Sequence, residues 1–145
     1  MTTLRDVIHK KGSDVFSIQP DASVFEALKL MADKNTGAIL VRSGSQVAGI
    51  LSERDCVRRV DLHGRTARET KVKDIMTSKV LYAQASQTLE ECVAVMIDKS
   101  IRHMPVFEGD ELIGMISARD ALKEMVDQQK FVISQLEHYI TGGGR

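Results

Sequence analysis

Two cysteines, two prolines, four histidines and no tryptophan leave this chain of 145 residues little material for disulfide, metal or thiol chemistry. Cys56 and Cys92 form neither a CxxC pair nor part of a dense framework, which suits a reducing cytoplasm better than secretion. His9, His63, His103 and His138 are scattered without metal-ligand spacing, so no metal site is expected. An excess of one charge is also missing: 20 basic and 20 acidic side chains cancel, leaving no global field for nucleic acid or a membrane surface. Any anion site must be local. No run approaches the roughly 20 apolar residues of a membrane span, and Met1–Asp6 lacks the apolar core of a secretory signal. A soluble cytoplasmic protein is expected, with a hydrophobic content of 43% that suffices for an ordinary core.

What the chain does have is an internal repeat. At an offset of 65, Val15, Gln19, Glu26, Met31, Val41, Gly49, Ser52, Arg54 and Asp55 match Val80, Gln84, Glu91, Met96, Val106, Gly114, Ser117, Arg119 and Asp120 without a gap. Upstream, Leu4–Ile8 resembles Val72–Met76 at an offset of 68, so the first copy carries three extra residues around His9–Ser13, a basic, glycine-bearing loop.

Each copy orders its elements in the same way. Val15–Ile18 and Val80–Ala83 are short extended runs, each followed by a helix-starting capping box, Ser23/Glu26 and Thr88/Glu91. The helices that follow place Val24, Ala27, Leu28 and Met31, or Leu89, Cys92, Val93 and Met96, on one apolar face, which makes Cys92 a core residue. Two hairpins come next, 38–41 with 47–51 and 104–107 with 112–116; Pro105 puts its strand at a sheet edge or at its start. A second helix, from Glu53 or Ala118, completes β-α-β-β-α. One such unit is too small to bury its sheet face alone. The expected fold is therefore α/β in the α+β sense, two repeats packed sheet to sheet as a pseudo-twofold pair with a C-terminal helical extension. Residues 1–60 form the first repeat, 61–71 a polar linker, 72–126 the second repeat, and 127–145 a helix and flexible tail. Along that last helix Leu122, Met125, Val132, Leu136 and Tyr139 form a stripe that either packs back on its own domain or meets its counterpart in a homodimer.

The most informative stretch is Gly49-Ile50-Leu51-Ser52-Glu53-Arg54-Asp55, which returns as Gly114-Met115-Ile116-Ser117-Ala118-Arg119-Asp120. It reads in two ways. Serine followed three residues later by an acid is a helix cap. Yet these boxes alone follow a glycine-led strand and use the shorter aspartate. Glycine there allows another group to come close, a helix N-terminus offers amides to a phosphate, and a short acid suits a ribose diol.

The order of the repeat, the G-h-h-S/T-x-x-D ending of both copies (h, hydrophobic), and Arg102-His103-Met104-Pro105-Val106 resemble the CBS domain, named after cystathionine β-synthase, as a tandem pair over about residues 1 to 126. The resemblance implies a module that binds adenosine-containing ligands in clefts between its repeats: AMP first, alternatively NAD(H), ATP, ADP or S-adenosylmethionine. It assigns the ribose diol to Asp55 and Asp120, places Ser52 and Ser117 near ribose and phosphate, turns Arg102 and His103 toward phosphates, and sets Val15 and Val80 near adenine. The first copy departs from this pattern, having Gly37 where the second has Arg102. A phosphate contact there must come from Lys10, Lys11, Arg54 or Arg58. Lys10-Lys11-Gly12 would also serve the further phosphates of a dinucleotide, and Arg54 and Arg119 are either phosphate ligands or solvent-facing helix arginines.

The function expected is a non-catalytic, adenine-nucleotide-sensing regulatory module that signals energy or redox state to an unidentified protein target. Two rivals stand beside it. One is a thiol enzyme using Cys56 at a helix start. The other is an interaction or oligomerisation module whose nucleotide sites are vestigial.

Overall fold

The computed structural model describes residues 1–141; the flexible end expected at Gly142–Arg145 lies outside them. The elements run α1 (Leu4–Lys11), β1 (Ser17–Ile18), α2 (Val24–Lys34), β2 (Ala38–Ser43), β3 (Gln46–Ser52), α3 (Glu53–Arg59), β4 (Ala83–Gln84), α4 (Leu89–Lys99), β5 (His103–Glu108), β6 (Glu111–Ser117) and α5 (Ala118–Ile140), with short 3-10 turns at Asp61–His63 and Val72–Asp74. The two repeats give two three-stranded sheets, ordered β1-β2-β3 and β4-β5-β6, each with one parallel and one antiparallel pairing. Even the irregularity is copied: a register shift falls between Val41 and Arg42 in one sheet and between Val106 and Phe107 in the other, 65 residues on. The same sequence pattern thus makes the same bulge twice.

Capping is more discriminating than the sequence suggests. The reciprocal pair of bonds closes at Thr3/Asp6, Ser52/Asp55 and Ser117/Asp120. At Ser23 and Thr88 the hydroxyl accepts from the Glu26 or Glu91 amide, and only this half of the box is made. All three closed boxes use aspartate. The one at Thr3 starts a helix where the sequence reading placed none, although T-x-x-D was there to be read.

Pro105 takes the second of its two expected places, near the start of its strand. Its strand, β5, is the middle one of its sheet, so it is not an edge strand. The proline sits ahead of Val106 and Phe107, the two residues paired with β4, and is opposite Met115 of β6. Near its start β5 pairs with β6 alone, so a missing N–H leaves no β4 acceptor unserved.

The chain divides into two compact units, Asp14–Leu81 and Met1–Ser13 with Tyr82–Arg145. The leading segments are therefore crossed relative to the repeats. Residues 1–13 open the first repeat but pack on the second, where Thr2 O accepts from the Leu89 amide at 3.0 Å. Residues around Val72 open the second repeat but pack on the first, where Thr70 O accepts from Val24 N at 2.9 Å. Each unit has its own core. One gathers Leu4, Val7 and Ile8 of α1 with Leu89, Cys92, Met96, Val106 and Ile116. The other gathers Val24, Met31, Ile39, Val41, Leu51, Cys56, Val72 and Ile75.

The stretch 61–71 is an ordered strap rather than a free connector. Thr70 is buried with its hydroxyl donating to Thr66 O, Ala67 packs against the core, and the Arg68 guanidinium lies 3.8 Å from the Phe25 ring centre. At the other end of the chain, α5 runs unbroken for 23 residues. Its first turn buries Ala121, and Gln128 donates to the Thr2 hydroxyl, but every residue from Gln129 to Ile140 is exposed on the single chain. Packing back on its own domain stops at Gln128.

Candidate functional site

Both copies of the G-h-h-S-x-x-D motif fold into the same junction. The glycine lies in the last strand, the serine caps the following helix, and the aspartate occupies the third helical position. The Ser117 amide donates to Asp120 Oδ2 at 2.8 Å and Ser117 Oγ accepts from the Asp120 amide at 3.0 Å. The matching bonds between Ser52 and Asp55 are both 3.1 Å. The capping role is therefore present at both serines.

The glycines have a different reason from the one expected. A Cβ at Gly49 would stand 2.7 Å from Met76 Sδ and 2.8 Å from Thr77 O; at Gly114 it would stand 2.7 Å from Ile8 Cδ1. The close approach is by the chain's own crossed leading segments. Ile50 and Thr77 exchange both backbone hydrogen bonds, at 3.0 and 2.9 Å, which holds that contact in place.

Lys11, Asp120, Ser117 and His103 come together in one unit. His103 is opposite Ser117 in the β5–β6 pairing, and the Arg102 carbonyl accepts from the Ala118 amide at 2.7 Å. Gly37 O accepts from Glu53 N in the same way, which confirms that Gly37 and Arg102 are matching positions. His103 is held below its ordinary pKa: burial disfavours the imidazolium, against the attraction of Asp120, and Lys11 and Arg102 add to the lowering.

Lys11 Nζ lies 2.5 Å from Asp120 Oδ2 and 2.7 Å from Met115 O. Burial pushes the Asp120 carboxyl up, but the hydrogen bond from Lys11 and those from Ser117 outweigh it and hold the group below the usual carboxylate range. The expected basic loop at His9–Ser13 is corrected here: His9, Lys10 and Lys11 form the last turn of α1, and Gly12 caps it. Gly12 has φ 106°, a conformation that favours glycine, and its amide bonds Ile8 O at 2.8 Å. Lys10 turns away to Glu124 and Asp127 of α5, at 3.1 and 3.3 Å.

In the other unit Arg59, one turn after Asp55, approaches its Oδ1 at 4.0 Å and donates to Ile75 O and Met76 O. Arg54 and Arg119 are exposed on the first turns of α3 and α5. Val15 and Val80 are half-buried and fall in the same compact unit as Asp55, so Val80 is not in the unit that holds Asp120. Arg59 was missed by the sequence reading, although its i, i+4 spacing from Asp55 was a readable signal.

The thiols are placed against redox chemistry. Cys56 and Cys92 are free and buried. Burial pushes both up to about 11, and at Cys56 the neighbouring Asp55 and Glu53 add to the rise and defeat any help from the helix start. At pH 8 neither is expected to react with an aromatic disulfide reagent until the chain unfolds; rapid native labelling of Cys56 would contradict this. Because the folded pKa lies above the unfolded one, this contribution to stability is complete below about pH 8.5 and is lost as pH rises through about 11. Among the described residues no cluster of His, Cys, Asp or Glu could hold a metal ion, and no helix is long and apolar enough to cross a membrane.

Comparison with known proteins matches this architecture. Over 151 aligned residues the chain is 34% identical to the mitochondrial CBS domain-containing protein CBSX3 of Arabidopsis thaliana, covering 98% of this chain and 73% of that protein. A CBS-domain protein of Burkholderia ambifaria superposes with TM-score 0.85 at 40% identity, covering 88% of this chain and 96% of that one. The CBS domain pair of protein MJ0100, solved in complex with 5′-methylthioadenosine and S-adenosyl-L-methionine, superposes with TM-score 0.77 at 16% identity, covering 88% and 98%. The CBS domain profile itself matches twice, at residues 3–62 and 72–127, and the chain belongs to the CBS domain family as a tandem pair.

Proposed function

We propose that this chain is a non-catalytic regulatory module that binds AMP, or alternatively NAD(H), ATP or ADP, and reports its level to a protein target. Asp120 and Asp55 hold ribose diols, with Ser117 and Ser52 beside ribose and phosphate. Arg102, His103, Lys11 and Gly12 serve the phosphates of the Asp120 site, Arg54 and Arg119 stand at the two helix starts, and Val15 and Val80 lie near adenine. The observation that carries this is the half-buried Asp120 carboxylate at a strand-to-helix junction, ion-paired to Lys11 and with His103 on the facing strand. Such a carboxylate accepts two hydroxyls while the neighbouring cations take an anion. The adenosyl ligands of protein MJ0100 lend support at the level of ligand class. Free buried thiols suit a reducing compartment such as the cytoplasm.

Mass spectrometry of the small molecules released when the natively purified protein is denatured tests this. An adenine-containing species is expected; a stoichiometric ligand without adenine would count against it.

The second reading, an interaction module with vestigial sites, draws on α5. Phe131, Val132, Ile133, Leu136, Tyr139 and Ile140 are each more than half exposed, and an apolar groove lined by Met96, Ile97, Ile101, Leu122 and Met125 runs between α4 and α5. An exposed apolar stripe of this extent marks an interaction surface. On either reading we expect a homodimer through this surface. Leu136→Glu should shift the sedimentation coefficient from dimer toward monomer without changing the far-ultraviolet signal of the folded units; a variant that stays dimeric places the interface elsewhere.

A further inference from the structure

We propose that Lys11 makes the Asp120 site selective for phosphorylated adenosines over adenosine itself. This deepens the nucleotide reading and rests on it. The ammonium of Lys11 occupies Asp120 Oδ2, the oxygen that also accepts from the Ser117 amide, and it reaches Met115 O as well. The pair is partly covered, with side-chain exposures of 31% and 24%. The resident lysine is thus a competitor for the carboxylate that a ribose diol needs.

Two classes of ligand meet this competitor differently. A neutral adenosine must displace the ammonium and offers nothing in return, so the ion pair is lost. A nucleotide carries its phosphate on the same ribose, within reach of a four-carbon side chain. When its diol takes the carboxylate, its phosphate takes the ammonium, and one charged pair is exchanged for another.

The fold keeps this lysine in place. Lys10, its neighbour, is tied to Glu124 and Asp127 of α5, so the last turn of α1 is fixed against the helix that carries Asp120. The other unit lacks this arrangement. Lys79, which matches Lys11 at the offset of 68, is exposed and makes no ion pair with Asp55 among the described residues; Arg59 of the same helix stands nearby instead. The selectivity therefore belongs to one site of the pair.

The test is calorimetric titration of AMP and of adenosine into the full chain in an Asp55→Asn background, which isolates the Asp120 site. The same titrations follow with Lys11→Met and Lys11→Arg added, each checked for a cooperative melt. The expected result is a preference for AMP that falls about tenfold or more in Lys11→Met, the size of one charge-assisted hydrogen bond. Lys11→Arg is expected to keep most of that preference. An unchanged ratio in Lys11→Met overturns the proposal and leaves the nucleotide reading standing. Equal loss in both folded variants also overturns it, since the effect would then be packing rather than charge. If the Asp55→Asn chain with Lys11 intact binds neither ligand, the reading of this site fails, and the proposal with it.

Discussion

Asp120→Ala is expected to weaken AMP binding by roughly 10- to 100-fold, the loss of hydrogen bonds from a ribose diol to a charged acceptor. The control is Glu91→Ala. Glu91 holds the same position in its S/T-x-x-acid stretch, but the structure forms only the hydroxyl half of that box. Both substitutions remove an acid from a helix start, and only one removes a half-buried carboxylate with a lysine on it. Asp120→Ala should also cost about 1 kcal/mol of stability through the cap. Asp120→Asn separates the two effects, since an amide oxygen still accepts from the Ser117 amide while the charge is gone. Equal AMP affinities for Asp120→Ala and Glu91→Ala would show that the motif is a cap and nothing more.

Gly49→Ala is expected to destabilise the fold by about 1–3 kcal/mol, the usual cost of overpacking, while Gly114→Ala costs less. The two glycines match in sequence, and their Cβ clearances are alike in size. What differs is the obstacle. At Gly114 it is side-chain atoms alone, Ile8 Cδ1 at 2.7 Å and Cγ2 at 3.0 Å, with no backbone atom among them. At Gly49 it includes the Thr77 carbonyl, fixed by its hydrogen bond from Ile50. The corresponding drop in melting temperature is roughly 3 to 10 °C for Gly49→Ala. A larger loss in Gly114→Ala would contradict the packing described for these strands.

The repeat was legible because periodicity and punctuation survive duplication. Alternating apolar runs, the Ser52 and Ser117 caps and the polar turns between hairpin strands placed β2, β3, β5, β6 and the helices α2 to α5 where they lie. α1 was missed as a helix despite its Thr3/Asp6 box. Its last turn is His9-Lys10-Lys11, whose charges read as a loop, and what fixes it is packing of Leu4, Val7 and Ile8 on the distant Leu89 and Ile116. The crossing of the leading segments was hidden for the same reason, since a local pattern does not say which copy a segment packs on. At the candidate site, Ser117 with Asp120 followed from spacing alone. The pairing of Lys11 with Asp120 spans 109 residues and needed the fold. The glycines were found correctly and explained differently, because the sequence shows that room is needed but not what fills it.

The claim on which the rest depends is that the chain binds an adenine nucleotide through these carboxylates, and thermal melting tests it most directly. With AMP at about a hundred times its dissociation constant, linkage adds roughly 2.7 kcal/mol, a rise of roughly 5 to 15 °C for a chain of this size. The account predicts that rise, and predicts that it shrinks in Asp120→Ala. A melting temperature unmoved by AMP, ADP, ATP and NADH up to millimolar concentration would contradict it.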